Sequence, residues 1–156
     1  MQDRCRIRHL VLSNPLIRTY VHFKLTLVAE MYRKAACTLD DNPLVALPFA
    51  VNYFDLAVMI NVLDHVEDAQ RSMGNLVNIV RPGGLLVLGQ DLTDEKDLEA
   101  LRLDPGAVGH PIKLNAEWFE PFLKGFQPLV KRVLPRSAGR DPGQHCGTLV
   151  FAGRKG

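Results

Sequence analysis

Short apolar runs alternate along the chain with stretches in which apolar residues return every three or four positions. The runs read as strands, and the longer period reads as amphipathic helix. Residues 8–12 predict a first strand, stopped by Ser13-Asn14-Pro15. Asn14 or Ser13 can cap a short helix from Leu16 to about Phe23, with Pro15 in its first turn. Residues 24–37 fit either a continuing helix or a strand, with strand favoured over 31–36. Asp40-Asp41-Asn42-Pro43 is turn chemistry. Phe54-Asp55-Leu56-Ala57-Val58-Met59-Ile60 is the strongest strand, and its near-continuous apolarity predicts burial on both faces, as in a central parallel strand.

Ala69, Met73, Leu76 and Val80 recur at helical spacing and predict a helix over 67–80. Glu67 and Asp68 fall at its positive N-terminal end. Pro82-Gly83-Gly84 turns the chain into a strand over 85–89. Residues 94–102 read as a polar surface helix. Asn115 can cap another through Trp118, Phe119, Phe122 and Leu123, interrupted by Pro121 and ended by Gly125. Two strands over 129–134 and 148–152, joined by a Gly-, Pro- and charge-rich loop over 137–143, predict an antiparallel hairpin. This order predicts an α/β fold with a mostly parallel sheet closed by a C-terminal hairpin. A single domain over 1–156 is expected.

With 156 residues, 47% hydrophobic and 23% charged, the chain can bury a core without disulfides or metals. A net charge of +2 is too mild to point to nucleic acid or an acidic membrane surface. Arg4, Arg6 and Arg8 alternate with Cys5 and Ile7, which suits one solvated strand face. Cys5, Cys37 and Cys146 have neither metal-ligand nor redox-motif spacing, so free thiols and no metal site are expected. No apolar run approaches the roughly 20 residues of a membrane span. The start is polar and basic, without the apolar core of a signal peptide. A soluble, cytoplasmic protein is the expectation.

Phe54 to Asp68, read Phe-Asp-Leu-Ala-Val-Met-Ile-Asn-Val-Leu-Asp-His-Val-Glu-Asp, resembles the post-cofactor strand and following loop of class I S-adenosylmethionine (SAM) dependent methyltransferases, type 11-like. Val80-Arg81-Pro82-Gly83-Gly84-Leu85-Leu86-Val87 is similar to that family's next helix end and strand, and Ala46-Leu47-Pro48-Phe49 to its Leu-Pro-Phe element. The resemblance implies a Rossmann-like sheet with a cofactor crevice at the C-terminal ends of its strands. It implies that Ile60, Asn61 and Val62 border the methionine part of SAM, that Leu47 and Pro48 lie near the adenine, and that His65 stands close to the active-site mouth. Asn61 could equally end the strand by bonding local backbone. Asp64 and His65 resemble an acid–base pair, or fix the loop that starts the helix. Asp55 belongs to the framework. His110 and Trp118 fall where the family builds its substrate pocket, although core packing suits Trp118.

The sequence departs from the family at three cofactor anchors. No glycine precedes Gly74, so the glycine-rich turn that approaches SAM, with its strand and helix, is expected to be missing. The acid that grips the ribose is replaced in Asn14-Pro15-Leu16, where Asn14 keeps an acceptor without its charge. The acidic partner of the adenine falls on Pro43, with Asp40 and Asp41 displaced from it. The missing strand would lie between those at Leu10 and Phe54 and would leave two apolar edges unpaired. Direct pairing of the two, a strand from another chain, or a misplaced or decayed gene start would each account for this. The expected function is SAM-dependent methyl transfer to an unidentified small molecule, with a homodimer or a methyltransferase partner chain as possible company. The alternative is a non-catalytic fragment or partner subunit that does not bind SAM by itself.

Overall fold

The structure is a computed structural model and describes residues 7–22, 37–94, 96–97, 112–138 and 145–156. The chain divides into two compact units, residues 1–48 and 49–156.

In the first unit, strand β1 (Leu10–Ser13) leads into helix α1 (Ile17–His22), and β1 pairs in parallel with β2 (Cys37–Asp40). The carboxamide oxygen of Asn14 accepts from the peptide N–H of Leu16 at 2.8 Å, which starts the helix at the expected place. β1 begins two residues later than predicted, leaving exposed Arg8 outside it. β2 lies where turn chemistry had been expected to begin. The ambiguous stretch over 24–36, with Arg4 and Cys5, lies outside the described residues.

The second unit carries a four-stranded sheet in the order β3-β4-β6-β5. Its strands are β3 (Phe54–Ile60), β4 (Val80–Leu92), β5 (Phe126–Pro135) and β6 (Gly147–Lys155). β3 and β4 are parallel, while β6 pairs antiparallel with both β4 and β5. The expected mixed sheet with its closing hairpin is therefore present, with longer hairpin strands than predicted. Residues 139–144 of the joining loop lie outside the described residues.

Helix α2 (Ala69–Ile79) follows the predicted period, and Asp68 caps it by accepting from the N–H of Arg71 at 2.9 Å. At its other end, the ammonium of Lys155 donates to the carbonyls of Val77 and Val80 at 2.9 and 2.7 Å, satisfying groups the helix cannot. Burial lowers the Lys155 pKa. Pro82-Gly83-Gly84 lies within β4, because Val80 already pairs with Phe54. A side chain on Gly84 would meet the carbonyl oxygen of Arg81 at 2.8 Å and that of Asp55 at 3.1 Å, so only glycine lets the two strands close there.

The core lies on one face of this sheet. Ala57 and Met59 of β3, Leu86 and Leu88 of β4, and Leu149 and Phe151 of β6 are buried, as are Met73, Leu76 and Ile79 of α2. Phe119 and Leu123 add to it from a short turn and the one-turn helix α3 (Glu120–Leu123). Asn115 caps this segment as predicted, accepting from the N–H of Trp118 at 3.0 Å, and Pro121 sits harmlessly in its first turn.

The opposite face of β3 corrects the expectation of two-sided burial. Leu56, Val58 and Ile60 are 50%, 59% and 58% exposed. β3 is an edge strand of its sheet, with β4 as its hydrogen-bonded neighbour, and only its Ala57 and Met59 face enters the core. β1 and β3 belong to separate sheets. Among the described residues no helix is long and apolar enough to cross a membrane.

Candidate functional site

β3 and β4 end side by side, and the chain breaks its extended path there. Asn61 adopts a left-handed backbone (φ 49°), a conformation that asparagine tolerates better than most residues. Its N–H donates to the Gly89 carbonyl at 2.8 Å. Its side chain is held at two points by the next strand. The Asn61 oxygen accepts from the Asp91 N–H at 2.9 Å, and its amide donates to the Asp91 carboxylate at 2.5 Å. The hydroxyl of Thr148 donates to the other carboxylate oxygen at 2.6 Å. A side chain at Gly89 would meet Ile60 Cδ1 at 3.0 Å, so glycine lets the Ile60 side chain lie across β4.

These residues line a cleft of about 470 Å³, formed by Ile60, Asn61, Gly89, Asp91, Leu134, Ala138 and Thr148. That volume lies within the usual range for small-molecule sites.

Beneath the cleft, Gln90 is fully buried and staples the following turn, Leu63–His65, to the end of β4. Its carbonyl oxygen accepts from the Leu63 N–H at 3.1 Å, and its amide donates to Asp64 at 3.0 Å. Asp64 is buried, while the His65 side chain is 48% exposed with its Nε2 3.6 Å from the Asp64 carboxylate. That separation is too long for a hydrogen bond and suits an ion pair only when His65 is protonated.

Ile60 and Asn61 thus come together in one cleft, with Val62 next in the chain and His65 in the turn beyond. Asn14, Leu16, Leu47 and Pro48 belong to the first unit. Leu16 is exposed beyond β1, and Leu47 and Pro48 follow the turn Leu44–Ala46. Asp40, at the end of β2, is buried and accepts from Ser13 at 2.8 Å and from the Asn42 amide at 2.6 Å. Trp118 packs against Phe119 and Phe122, with ring centroids 5.0 and 4.9 Å apart. His110 lies outside the described residues.

Sequence reasoning did not single out Gln90 or Asp91. The available signal was a polar pair ending an otherwise apolar strand. It also did not foresee that ligand atoms of Asp94, Asp97 and Cys146 would lie within 4.8 Å of one another. There Arg136 donates to the Asp97 carboxylate at 2.5 Å. Burial alone would raise the Asp97 pKa, but the Arg136 bond and the Asp94 N–H outweigh it and hold the carboxyl below its usual range. The Cys146 thiol is pushed up by burial and by the two carboxylates. Asp94 and Asp97 exchange N–H bonds at 3.2 and 2.8 Å, a reciprocal cap where the surface helix was expected to start. Residues 98–102 of that helix lie outside the described residues.

Residues 19–88 match a family model described as "Methyltransferase domain". No curated protein sequence matches the chain. Several solved structures share its fold. One is a SAM-dependent methyltransferase of Thermotoga maritima, described as a possible histamine N-methyltransferase, 18% identical over 94% of this chain and 82% of its own, with a TM-score of 0.59. The N-methyltransferase NodS of Bradyrhizobium japonicum, in complex with S-adenosylhomocysteine, is 20% identical over 94% of this chain and 66% of its own, with a TM-score of 0.65. A putative methyltransferase in complex with the Trm112 activator of Haloferax volcanii is 13% identical over 95% of this chain and 82% of its own, with a TM-score of 0.59. Motif order and strand topology agree with these matches: residues 19–88 match a methyltransferase domain model, and the chain shares the Rossmann-like fold of solved SAM-dependent methyltransferases.

Proposed function

We propose that the protein transfers a methyl group from SAM to a small-molecule acceptor. One observation carries this function: the segment matching the methyltransferase model ends at the two parallel strands whose C-terminal ends open into the cleft. Crevices beyond the carboxyl ends of parallel strands are where α/β sheets bind ligands. Residues 1–156 then act as one domain, which the 94–95% coverage of this chain by the three solved relatives supports.

The residues present fit the methionine end of SAM. Ile60 offers an apolar wall, while Asn61, fixed by Asp91, keeps its backbone path and one amide proton available beside Val62. Asn14, Leu16, Leu47 and Pro48 are assigned to the ribose and adenine end. SAM supplies a methyl group on a sulfonium, whose displacement needs mainly alignment and a free nucleophile. His65 is assigned the acceptor's proton: its exposed imidazole, beside the buried Asp64 carboxylate, offers a basic ring nitrogen.

Isothermal titration with SAM tests the function directly. Saturable binding is expected, and no heat at high micromolar protein would sink it in favour of a non-catalytic subunit. His65→Asn should lower kcat at least tenfold while leaving the SAM Kd within twofold; an unchanged kcat removes His65 from the reaction.

A partner chain also belongs to this proposal, as a second copy or another methyltransferase chain. The exposed Leu56, Val58 and Ile60 favour it, and the Haloferax relative is one solved with an activator. Sedimentation across a hundredfold concentration range checks self-association.

A further inference from the structure

From the charge of the cleft we infer that it takes an organic ammonium, an amine acceptor with an apolar body, and that Asp91 is its counter-ion. Naming the amine as the methyl acceptor rests on the methyltransferase function above; binding of the amine does not.

Among the described residues Asp91 is the only one lining the cleft that ionises, the others being Ile60, Asn61, Gly89, Leu134, Ala138 and Thr148. Its two carboxylate oxygens accept from neutral donors, the Asn61 amide and the Thr148 hydroxyl. Those bonds fix the carboxylate without cancelling its charge, and each oxygen retains a further lone pair. Three other acids of this unit are answered by cations: Asp55 by Arg81, Glu120 by Lys131 and Asp97 by Arg136. Among the described residues no cation pairs with Asp91. A fixed, half-buried carboxylate thus faces a cleft walled by Ile60 and Leu134. A carboxylate or phosphate ligand would meet repulsion with no compensating partner among the described residues. A cationic head with an apolar body matches both the charge and the walls.

For transfer, the bound ammonium first releases a proton to His65, the base assigned to the acceptor above. Its nitrogen lone pair then forms the N–CH3 bond as the S–CH3 bond breaks, giving S-adenosylhomocysteine and a methylammonium product. Asp91 holds the nitrogen and is unchanged by the step.

Three pairs of probes with the same ring and opposite charge test the inference: histamine against imidazole-4-acetate, tyramine against 4-hydroxyphenylacetate, and tryptamine against indole-3-acetate. In titrations without SAM, at least one amine should bind ten times or more tighter than its carboxylate counterpart. Asp91→Asn, which keeps the size of the side chain and its bond from Asn61 while the Thr148 hydroxyl turns to accept, should weaken that amine at least tenfold. If no amine binds, if a carboxylate binds as well, or if Asp91→Asn keeps the amine, the inference is overturned. Loss of both SAM and amine in the variant also overturns it, because the carboxylate then serves the cofactor. If the variant does not fold, the contrast between amines and carboxylates on the wild-type protein decides. Wild-type protein that binds an amine but not SAM would remove the methyltransferase function and leave the ammonium site standing.

Discussion

β3 and β4 are neighbours, parallel and nearly equal in apolar content, yet they live in different surroundings. β4 has β3 on one side and β6 on the other, and its Leu86 and Leu88 are buried with Val87 half-covered between them. β3 has a hydrogen-bonded partner on one side, and Leu56, Val58 and Ile60 stand more than half exposed opposite its buried Ala57 and Met59. Apolar content records how much cover a strand is suited to, whereas burial records how much it receives. Where the two disagree, the disagreement marks a surface.

The widest gap is expected from cavity mutants. Leu88→Ala removes a side chain that is 1% exposed and should cost about 3 kcal/mol, read by urea unfolding. Ile60→Ala, opposite Gly89 on β3 and on the other face of the sheet, removes one that is 58% exposed and should cost under about 1 kcal/mol. Equal losses would show that β3 is as well covered in solution as β4, and the contrast between them would disappear.

Gln90 extends the comparison to the strand ends. Gln90→Leu keeps the bulk but strips the Leu63 N–H and the Asp64 carboxylate of a buried partner, which should cost about 2 kcal/mol. The same change should shift the cleft side of the turn, so SAM affinity should fall with stability. A fully stable variant would mean that the turn does not depend on β4.

Strand existence was legible because alternation and helical period are local properties: Phe54 to Ile60, the Ala69–Met73–Leu76 face and the Asn115 cap are each visible within a few residues. The bare face of β3 was not, because cover depends on residues far away in sequence. Gly84 was legible as a turn signal but not as a close approach, which needs the Asp55 carbonyl opposite it. In the cleft, Ile60 and Asn61 were found by their place after an apolar run. Asp91 and Thr148 were not, since 57 positions separate them and only the antiparallel β4–β6 register brings them together.

A smaller effect separates the two strands by pH. The Asp97–Arg136 pair ties the chain just beyond β4 to the turn after β5, whereas the ion pair of β3, Asp55 with Arg81, lies exposed at the start of the strand. Because the folded Asp97 pKa is depressed, its stabilisation is complete above the unfolded value of about 4 and is lost as pH falls through the lower folded value. Arg136→Gln should therefore lower Tm at pH 7, and its difference from wild type should shrink progressively as pH falls below about 4. A difference that persists in acid would assign the Arg136 contribution to packing instead of charge.

The smallest expected change bears most directly on β3. Val58→Lys places a charge on its exposed face, where the long aliphatic stem can lie along the strand and the ammonium can reach water. Stability should stay within about 0.5 kcal/mol of wild type, as for other surface substitutions. Leu88→Lys, by contrast, buries the same charge among Met73, Leu86 and Phe151 on the core side and should leave no folded protein. If Val58→Lys is neutral in stability and also abolishes any concentration-dependent dimer, the face is a contact surface between chains. If it is neutral and sedimentation is unchanged, the apolar face of β3 is bare in solution. If it destabilises by 2 kcal/mol or more, the face is covered within the chain itself, and the difference between β3 and β4 is smaller than their exposures indicate.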